Sequence, residues 1–415
     1  MNIGIGKFIG CVMIVIGTAI GGGILALPTQ FSGAGFVWSS ITMLAAWGLL
    51  TITGLLVVEM SLALPKDSCS FGSMAAKTLG TPGKIVTWVS YLLLLCSVAA
   101  AFMAGESSLI VSLIHSSLNI TIPSWLSTIS FTLVLGSAVF WGTKTVDFVN
   151  RGLFSAKGLL LVATLALALP HVNVANLLAN QDIGRAKYLC MASPIFLHMF
   201  NFHFVIPSLR MYVGEDAKDL KWIIISGTTV ALIIYLLWTV VALGIVPLMG
   251  DNSFTTLTQL GHPAGPPDFI KVITTIINDK WVTASINGFF NVSITTSFLG
   301  VSLGLFDFLA DGFKRPNTHF GRLQTAGLTF IPPLVFALFY PNGFIMALNY
   351  AASFIAILCL ILPALMVYRL RKSAELKSSY RAFGNNSLFV VTVIVGVVLF
   401  VLPILTNLNL LPCLK

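Results

Sequence analysis

The charges of this chain are missing from long stretches, and that absence limits the fold more than any motif does. No Asp, Glu, Lys or Arg occurs in residues 8–58, 85–105, 107–143, 158–181, 188–209, 222–250, 281–306, 323–368 or 382–414. A helix needs about 20 apolar residues to cross a bilayer, and inside lipid only helices or closed barrels satisfy their own backbone. Barrel strands would read as short alternating segments, whereas these runs are continuous. The expectation is an all-α polytopic membrane protein whose main partner is the lipid bilayer. The +9 net charge forms no basic face of the kind that nucleic-acid binding requires. The six cysteines are scattered without a C-x-x-C pair, so neither a metal site nor a disulfide framework is expected. Lys7 and the apolar run to Pro28 mimic a signal peptide. The glycines at 21–23 interrupt that run and no small-x-small cleavage site follows, so it reads as a retained first span.

Gly and Pro at Pro28–Gly35 and Tyr340–Gly343 mark chain reversals inside the two longest runs. Eleven transmembrane helices follow, near 5–27, 36–64, 85–113, 124–142, 149–170, 188–210, 221–249, 281–309, 322–340, 343–369 and 387–412. With the N-terminus inside, 17 Lys and Arg residues fall in inner segments. Five fall in outer ones: Arg185, Lys187, Lys271, Lys280 and Lys415. That bias predicts a cytoplasmic N-terminus and an outer, periplasmic C-terminus. The longest loops, 65–84, 171–187 and 250–280, are too short to fold alone, so residues 1–415 form a single transmembrane domain.

Two spans are interrupted. Span 1 contains Gly17-Thr-Ala-Ile-Gly-Gly-Gly-Ile-Leu-Ala-Leu-Pro28, and glycines inside a helix cost roughly 1 kcal/mol each relative to Ala. Close helix packing through small residues is one explanation. A contiguous run suits an unwound backbone better, with free N–H groups that can hold a carboxylate and free C=O groups that can hold an ammonium. Span 6 reads Pro194-Ile-Phe-Leu-His-Met-Phe-Asn-Phe-His-Phe-Val-Ile-Pro207-Ser208, polar at mid-membrane depth between two prolines. Broken spans five apart are the pattern of inverted-repeat transporters. The repeats would cover about 5–170 and 188–369, with 387–412 as an extra helix. Thr18, Gly21, Gly22 and Gly23 are the expected α-carboxylate cradle.

Other polar groups are weighed by depth. Asn287, Asn291 and Thr295 form a stripe on span 8, beside Thr296 and Ser297, expected to line a hydrated cavity. Glu59, Asp307 and Asp311 lie near inner span ends and suit ion pairs with Arg151, Arg315 or Arg322. Glu106 within span 3 and Lys157 within span 5 are deep enough to be costly, which points to function, or for Glu106 to a neutral, protonated carboxyl in a gate or a buried hydrogen bond. His198 and His203 are five apart and share no helical face for zinc or haem. No phosphate-binding Gly-Lys loop or buried Ser/His/Asp set is present, so an ATP-driven pump or an intramembrane enzyme is a remote alternative, as is an ion channel.

Several segments resemble the hydroxy and aromatic amino acid permeases, and within them the bacterial tyrosine-specific branch. They are Asn150-Arg-Gly-Leu-Phe-Ser-Ala-Lys157, Thr296-Ser-Phe-Leu-Gly-Val-Ser-Leu-Gly-Leu-Phe-Asp307, Leu309-Ala-Asp311, Gly321-Arg-Leu-Gln324 and Ala337-Leu-Phe-Tyr-Pro-Asn-Gly-Phe344. The resemblance implies a leucine-transporter-like 5+5 inverted repeat of the amino acid–polyamine–organocation superfamily. It also implies a bacterial inner-membrane location and import of an aromatic L-amino acid, tyrosine first, by proton symport without a cofactor. Sodium-coupled members of that superfamily hold a cation between span 1 carbonyls and span 8 hydroxyls, here Thr296 and Ser297. Proton-coupled relatives place a span 5 lysine there, here Lys157, and a buried ammonium can give up its proton during the cycle. Phe102, Phe200, Phe202 and Phe204 could then face the substrate ring, with Asn201, His203, Asn287 and Asn291 meeting a phenolic hydroxyl. Phe200-Asn-Phe-His-Phe204 departs from a Phe-Gly-Phe-His-Gly pattern. The volume of Asn201 and Phe204 keeps a serine- or threonine-type substrate, like sodium coupling, as an alternative.

Overall fold

The computed structural model describes residues 3–65, 70–179, 183–260, 262–316, 318–408 and 410–411; Lys66, Cys69, Cys413 and Lys415 lie outside them. All regular elements among the described residues are helices. Ten are long and apolar enough to cross a bilayer, and Ile5–Ala19 with Gly23–Phe31 supplies an eleventh span bent by 50°. Spans 2 to 5 are Gly35–Leu62, Phe71–Leu118, Ser124–Trp141 and Thr143–Ala168. Span 6 is Leu189–Met199 followed by Ile206–Val213. Spans 7 to 11 are Ala217–Ile245, Lys280–Gly312, His319–Phe339, Phe344–Lys372 and Asn386–Asn407. Gly142, at φ 109°, is the one residue between spans 4 and 5, a reversal that a side chain would strain.

Two segments expected as loops are partly helical. The helix of span 3 already starts at Phe71, capped by Ser70, and turns sharply at Gly80 (φ 70°) just before Pro82. Between spans 7 and 8 lies the helix Pro266–Ile277. Its first turn is set by Pro266 and by the Asp268 carboxylate, which accepts the Gly265 N–H at 2.8 Å. It buries Phe269, Ile270 and Ile273. Their 3.6-residue spacing is an amphipathic signature that loop polarity obscured.

Span 10 widens into a π-helical turn at Ala356–Ile361. Pro363 follows and has no N–H to give the carbonyl one turn earlier, so the ladder relaxes there. Spans 4, 5, 9 and 11 keep large apolar residues exposed, among them Leu133, Leu159, Phe339 and Val390. These are the sides that lipid covers. The buried core runs instead through spans 1, 2, 3, 6, 7, 8 and 10. The first half of span 1 packs along span 7 and its second half on span 6, while span 3 lies between spans 8 and 10.

One end of the bundle, where spans 2 and 10 meet, is tied by a buried ion pair. Arg371 of span 10 donates to both carboxylate oxygens of Glu59 of span 2, at 2.8 and 2.7 Å. It also donates to the carbonyls of Ala382 and Gly384, while the Ala382 N–H bonds the same carboxylate at 2.8 Å. Removing one partner of a pair buried this well typically costs about 3–5 kcal/mol. The expected partners of Glu59 are therefore corrected. Arg151 pairs with Asp147 one turn away, and Arg315 donates to Gln324. Arg322 donates to the carbonyl of Phe140 at the end of span 4 and lies over the Phe306 ring.

Candidate functional site

The interruption in span 1 falls at Ile20–Gly22, and the two sides of the break are treated differently. On the carbonyl side, the Tyr235 hydroxyl donates to Ala19 O at 2.8 Å and the Lys157 ammonium donates to Ile20 O at 2.5 Å. Trp238 Nε1 donates to Ile24 O at 2.9 Å. All three side chains are buried, Lys157 with 6% of its surface exposed. On the amide side, the N–H groups of Gly22 and Gly23 have no acceptor among the described residues. Spans 5 and 7 thus satisfy the carbonyl end, and the electropositive start of the second half-helix is left open for an anion.

The glycines serve close approach, not unusual dihedrals. Gly22 has φ −59°, and neither Gly21 nor Gly23 lies in the left-handed region. A Cβ on Gly22 would stand 2.5 Å from Cε1 of Phe102, and one on Gly23 would stand 3.1 Å from Cβ of His198. Gly21 is looser, with the Ser297 hydroxyl 3.9 Å from its Cβ position. The chain is thus unwound here without an unusual glycine dihedral, and the lack of a Cβ is what the close approach requires. The run lets span 3 and span 6 side chains press onto an unwound strand.

The break in span 6 comes at Phe200–Phe202, between the two expected prolines. The residues around it point to four different spans. Phe200 is fully buried and meets Tyr235 edge-on, with ring centroids 5.9 Å apart. Phe202 rests on Gly54 of span 2, where a Cβ would be 2.5 Å from its ring. His203 stacks on Phe202 and bonds Thr53 Oγ1 through Nε2 at 2.9 Å. Asn201 Oδ1 accepts from Cys359 Sγ at 3.5 Å, in the widened turn of span 10. Phe204 packs on Phe71 and Tyr91, each 5.2 Å away between centroids.

Of the expected site residues, Gly21, Gly22, Gly23, Phe102, Lys157 and Ser297 are brought together at the break. Thr18 turns back, its hydroxyl donating to Ile14 O at 2.8 Å. Thr296 does the same to Ser293 O at 3.0 Å. Phe202 and His203 face span 2, because the chain between the half-helices rotates them off the glycines. Asn287 and Asn291 are also elsewhere. Their amides donate one turn back, to Thr283 O and Asn287 O. They line a separate cavity of about 940 Å³ with Ser116, Thr274, Asp279 and Thr283. At 3.6 residues per turn, Asn291 and Ser297 lie about 120° apart around the helix, so the polar stripe and the glycine contact occupy different faces. The expected hydrated cavity is present, but away from the break.

Three contributors were missed in the sequence. Tyr235 caps the break from span 7, Trp238 takes the Ile24 carbonyl that Pro28 cannot bond, and His198 lies against Gly23. A Tyr and a Trp at mid-span carry polar handles that need a partner when buried. That was the available signal. The His198 Nδ1–H donates to Pro194 O at 3.0 Å, leaving Nε2 without a partner among the described residues.

Residues 5–403 match the tryptophan/tyrosine permease family. Tyrosine-specific transport system 1 of Haemophilus influenzae is 34% identical, the alignment covering 98% of this chain and 98% of that protein. The tryptophan-specific transport protein of Pseudomonas aeruginosa is 32% identical over 98% of this chain and 96% of its own length. The low affinity tryptophan permease of Escherichia coli is 28% identical over 93% of this chain and 92% of its own. Eleven spans, a broken first and sixth span and a match along almost the whole length lead to one assignment: the chain belongs to the tryptophan/tyrosine permease family and is a transporter, not an enzyme.

Proposed function

We propose that this chain imports an aromatic L-amino acid, tyrosine foremost, by proton symport across the bacterial inner membrane. Its N-terminus lies in the cytoplasm and its C-terminus outside, and spans 1–5 and 6–10 are inverted repeats around the two breaks. The observation that carries the reading is the asymmetry of the span 1 break. Its carbonyl end is bonded by Lys157 and Tyr235, while the amides of Gly22 and Gly23 stay free. The substrate α-carboxylate docks on those amides, and its ring lies along Phe102 beside them. Lys157 holds the proton on Ile20 O while the inner half of span 1 is in place. When the proton leaves toward the cytoplasm, that carbonyl loses its partner and the half-helix is free to move.

The aromatic class is supported by the tyrosine- and tryptophan-specific names of the relatives. A smaller substrate loses ground on geometry. Phe204 packs against Phe71 and Tyr91, so its bulk is not beside Gly22. Competition of labelled tyrosine uptake in proteoliposomes by each of the twenty amino acids tests the assignment. Tyrosine and tryptophan should compete, phenylalanine more weakly, and serine and threonine should not. The reverse pattern would overturn the substrate and leave the family standing.

A further inference from the structure

We infer that Glu106 of span 3 is the specificity-determining contact for the polar edge of the substrate ring, the phenolic O–H of tyrosine or the indole N–H of tryptophan. The inference rests on the aromatic-substrate reading and adds the residue that separates these two from phenylalanine.

Glu106 is 4% exposed, and its Oε2 has no hydrogen-bond partner among the described residues. Its polar neighbours are committed elsewhere. Ser107 donates to Ser124 O at 3.0 Å, and Ser108 donates to Gly105 O at 2.7 Å. Elsewhere in the core, Lys157 donates to Ile20 O and the His198 Nδ1–H donates to Pro194 O. An acidic group at membrane depth with an unmet oxygen is costly unless a ligand completes it.

Its position indicates the ligand. Glu106 stands one turn outward of Phe102, on the same side of span 3 and about 6 Å further along the axis. Phe102 is the ring that lies on Gly22. A carboxylate bound at the Gly22 and Gly23 amides, with its ring along Phe102, sends the far edge of that ring toward Glu106. The next residue back, Gly105, is pinned, since a Cβ there would meet Phe344 at 2.6 Å and Ile294 at 3.4 Å. Span 3 therefore cannot rotate to bring another polar group into the place of Glu106. A site built around one such hydrogen bond rejects the analogue that lacks the donor far more strongly than an apolar pocket rejects an added hydroxyl.

The test compares inhibition of labelled tyrosine uptake by tyrosine, tryptophan and phenylalanine in proteoliposomes of wild type, Glu106→Met and Glu106→Asp. In Glu106→Met, apparent affinity for tyrosine and tryptophan should fall about 10- to 100-fold relative to phenylalanine. Glu106→Asp withdraws the carboxyl by one methylene with little change in bulk. It should lose part of the same preference, which keeps the test decisive if the methionine variant does not assemble. An unchanged ratio in either folded variant overturns the inference. So does an equal fall for all three ligands, which would place the carboxyl on the shared α-amino group. If the wild type is inhibited by none of the three, the aromatic-substrate reading itself has failed, an outcome the variants cannot imitate.

Discussion

Lys157→Met should reduce uphill accumulation of amino acid under an imposed pH gradient to the level of protein-free vesicles. Exchange of labelled for unlabelled substrate across the same membranes should survive. The lysine is the only side chain on the Ile20 carbonyl among the described residues. Methionine matches its length and removes both the donor and the exchangeable proton. Leaving that carbonyl without a partner costs about 1–3 kcal/mol, a loss that a folded membrane protein can absorb. Lys157→Arg separates structure from coupling. Its guanidinium can donate to the carbonyl but does not release a proton in a protein. The arginine variant should therefore bind substrate, keep its thermal stability and fail to accumulate. Accumulation at the wild-type level in either variant would remove Lys157 from the coupling step.

Gly22→Val should eliminate substrate binding while the protein still reaches the membrane and elutes as a single species. The first added carbon would lie 2.5 Å from Cε1 and 3.1 Å from Cζ of Phe102, whose own ring is 2% exposed and has nowhere to go. Overpacking of this kind costs about 1–3 kcal/mol, and the valine branches also cover the amides that a carboxylate would use. The three glycines should rank by the room around them. Gly22→Ala is the most damaging, Gly23→Ala intermediate against His198 at 3.1 Å, and Gly21→Ala the mildest with 3.9 Å to Ser297. Equilibrium binding of labelled tyrosine to detergent-purified variants checks the order. Phe102→Ala should partly restore binding to Gly22→Ala by opening the space that the methyl needs. Equal tolerance at all three positions would place the cradle elsewhere.

The sequence was most legible where the physics is one-dimensional. Charge-free runs mark spans because the bilayer thickness sets their length, and the glycine run and the paired prolines mark where spans 1 and 6 break. The presence of Lys157 at the break was anticipated from its depth and from the family resemblance. What stayed hidden depends on which way a side chain faces once a helix is interrupted. Phe202 and His203 sit one and two residues beyond Asn201, yet they turn to Thr53 and Gly54 of span 2. No helical wheel applies across an unwound stretch. The Asn287 and Asn291 stripe was correctly periodic, but periodicity does not say which neighbour a face meets, and it meets the separate cavity. Glu59 found Arg371, 312 residues away, a pairing that depends on how spans 2 and 10 pack.

Proton coupling is tested most directly by two orthogonal gradients applied to the same wild-type proteoliposomes. One carries an acidic exterior with no sodium, the other an inward sodium gradient at uniform pH. With the Lys157 ammonium on the Ile20 carbonyl, labelled tyrosine should accumulate under the first gradient and only equilibrate under the second. Accumulation that follows sodium at constant pH and ignores the pH gradient would contradict proton symport. It would assign the place beside the span 1 carbonyls to a sodium ion held with Thr296 and Ser297.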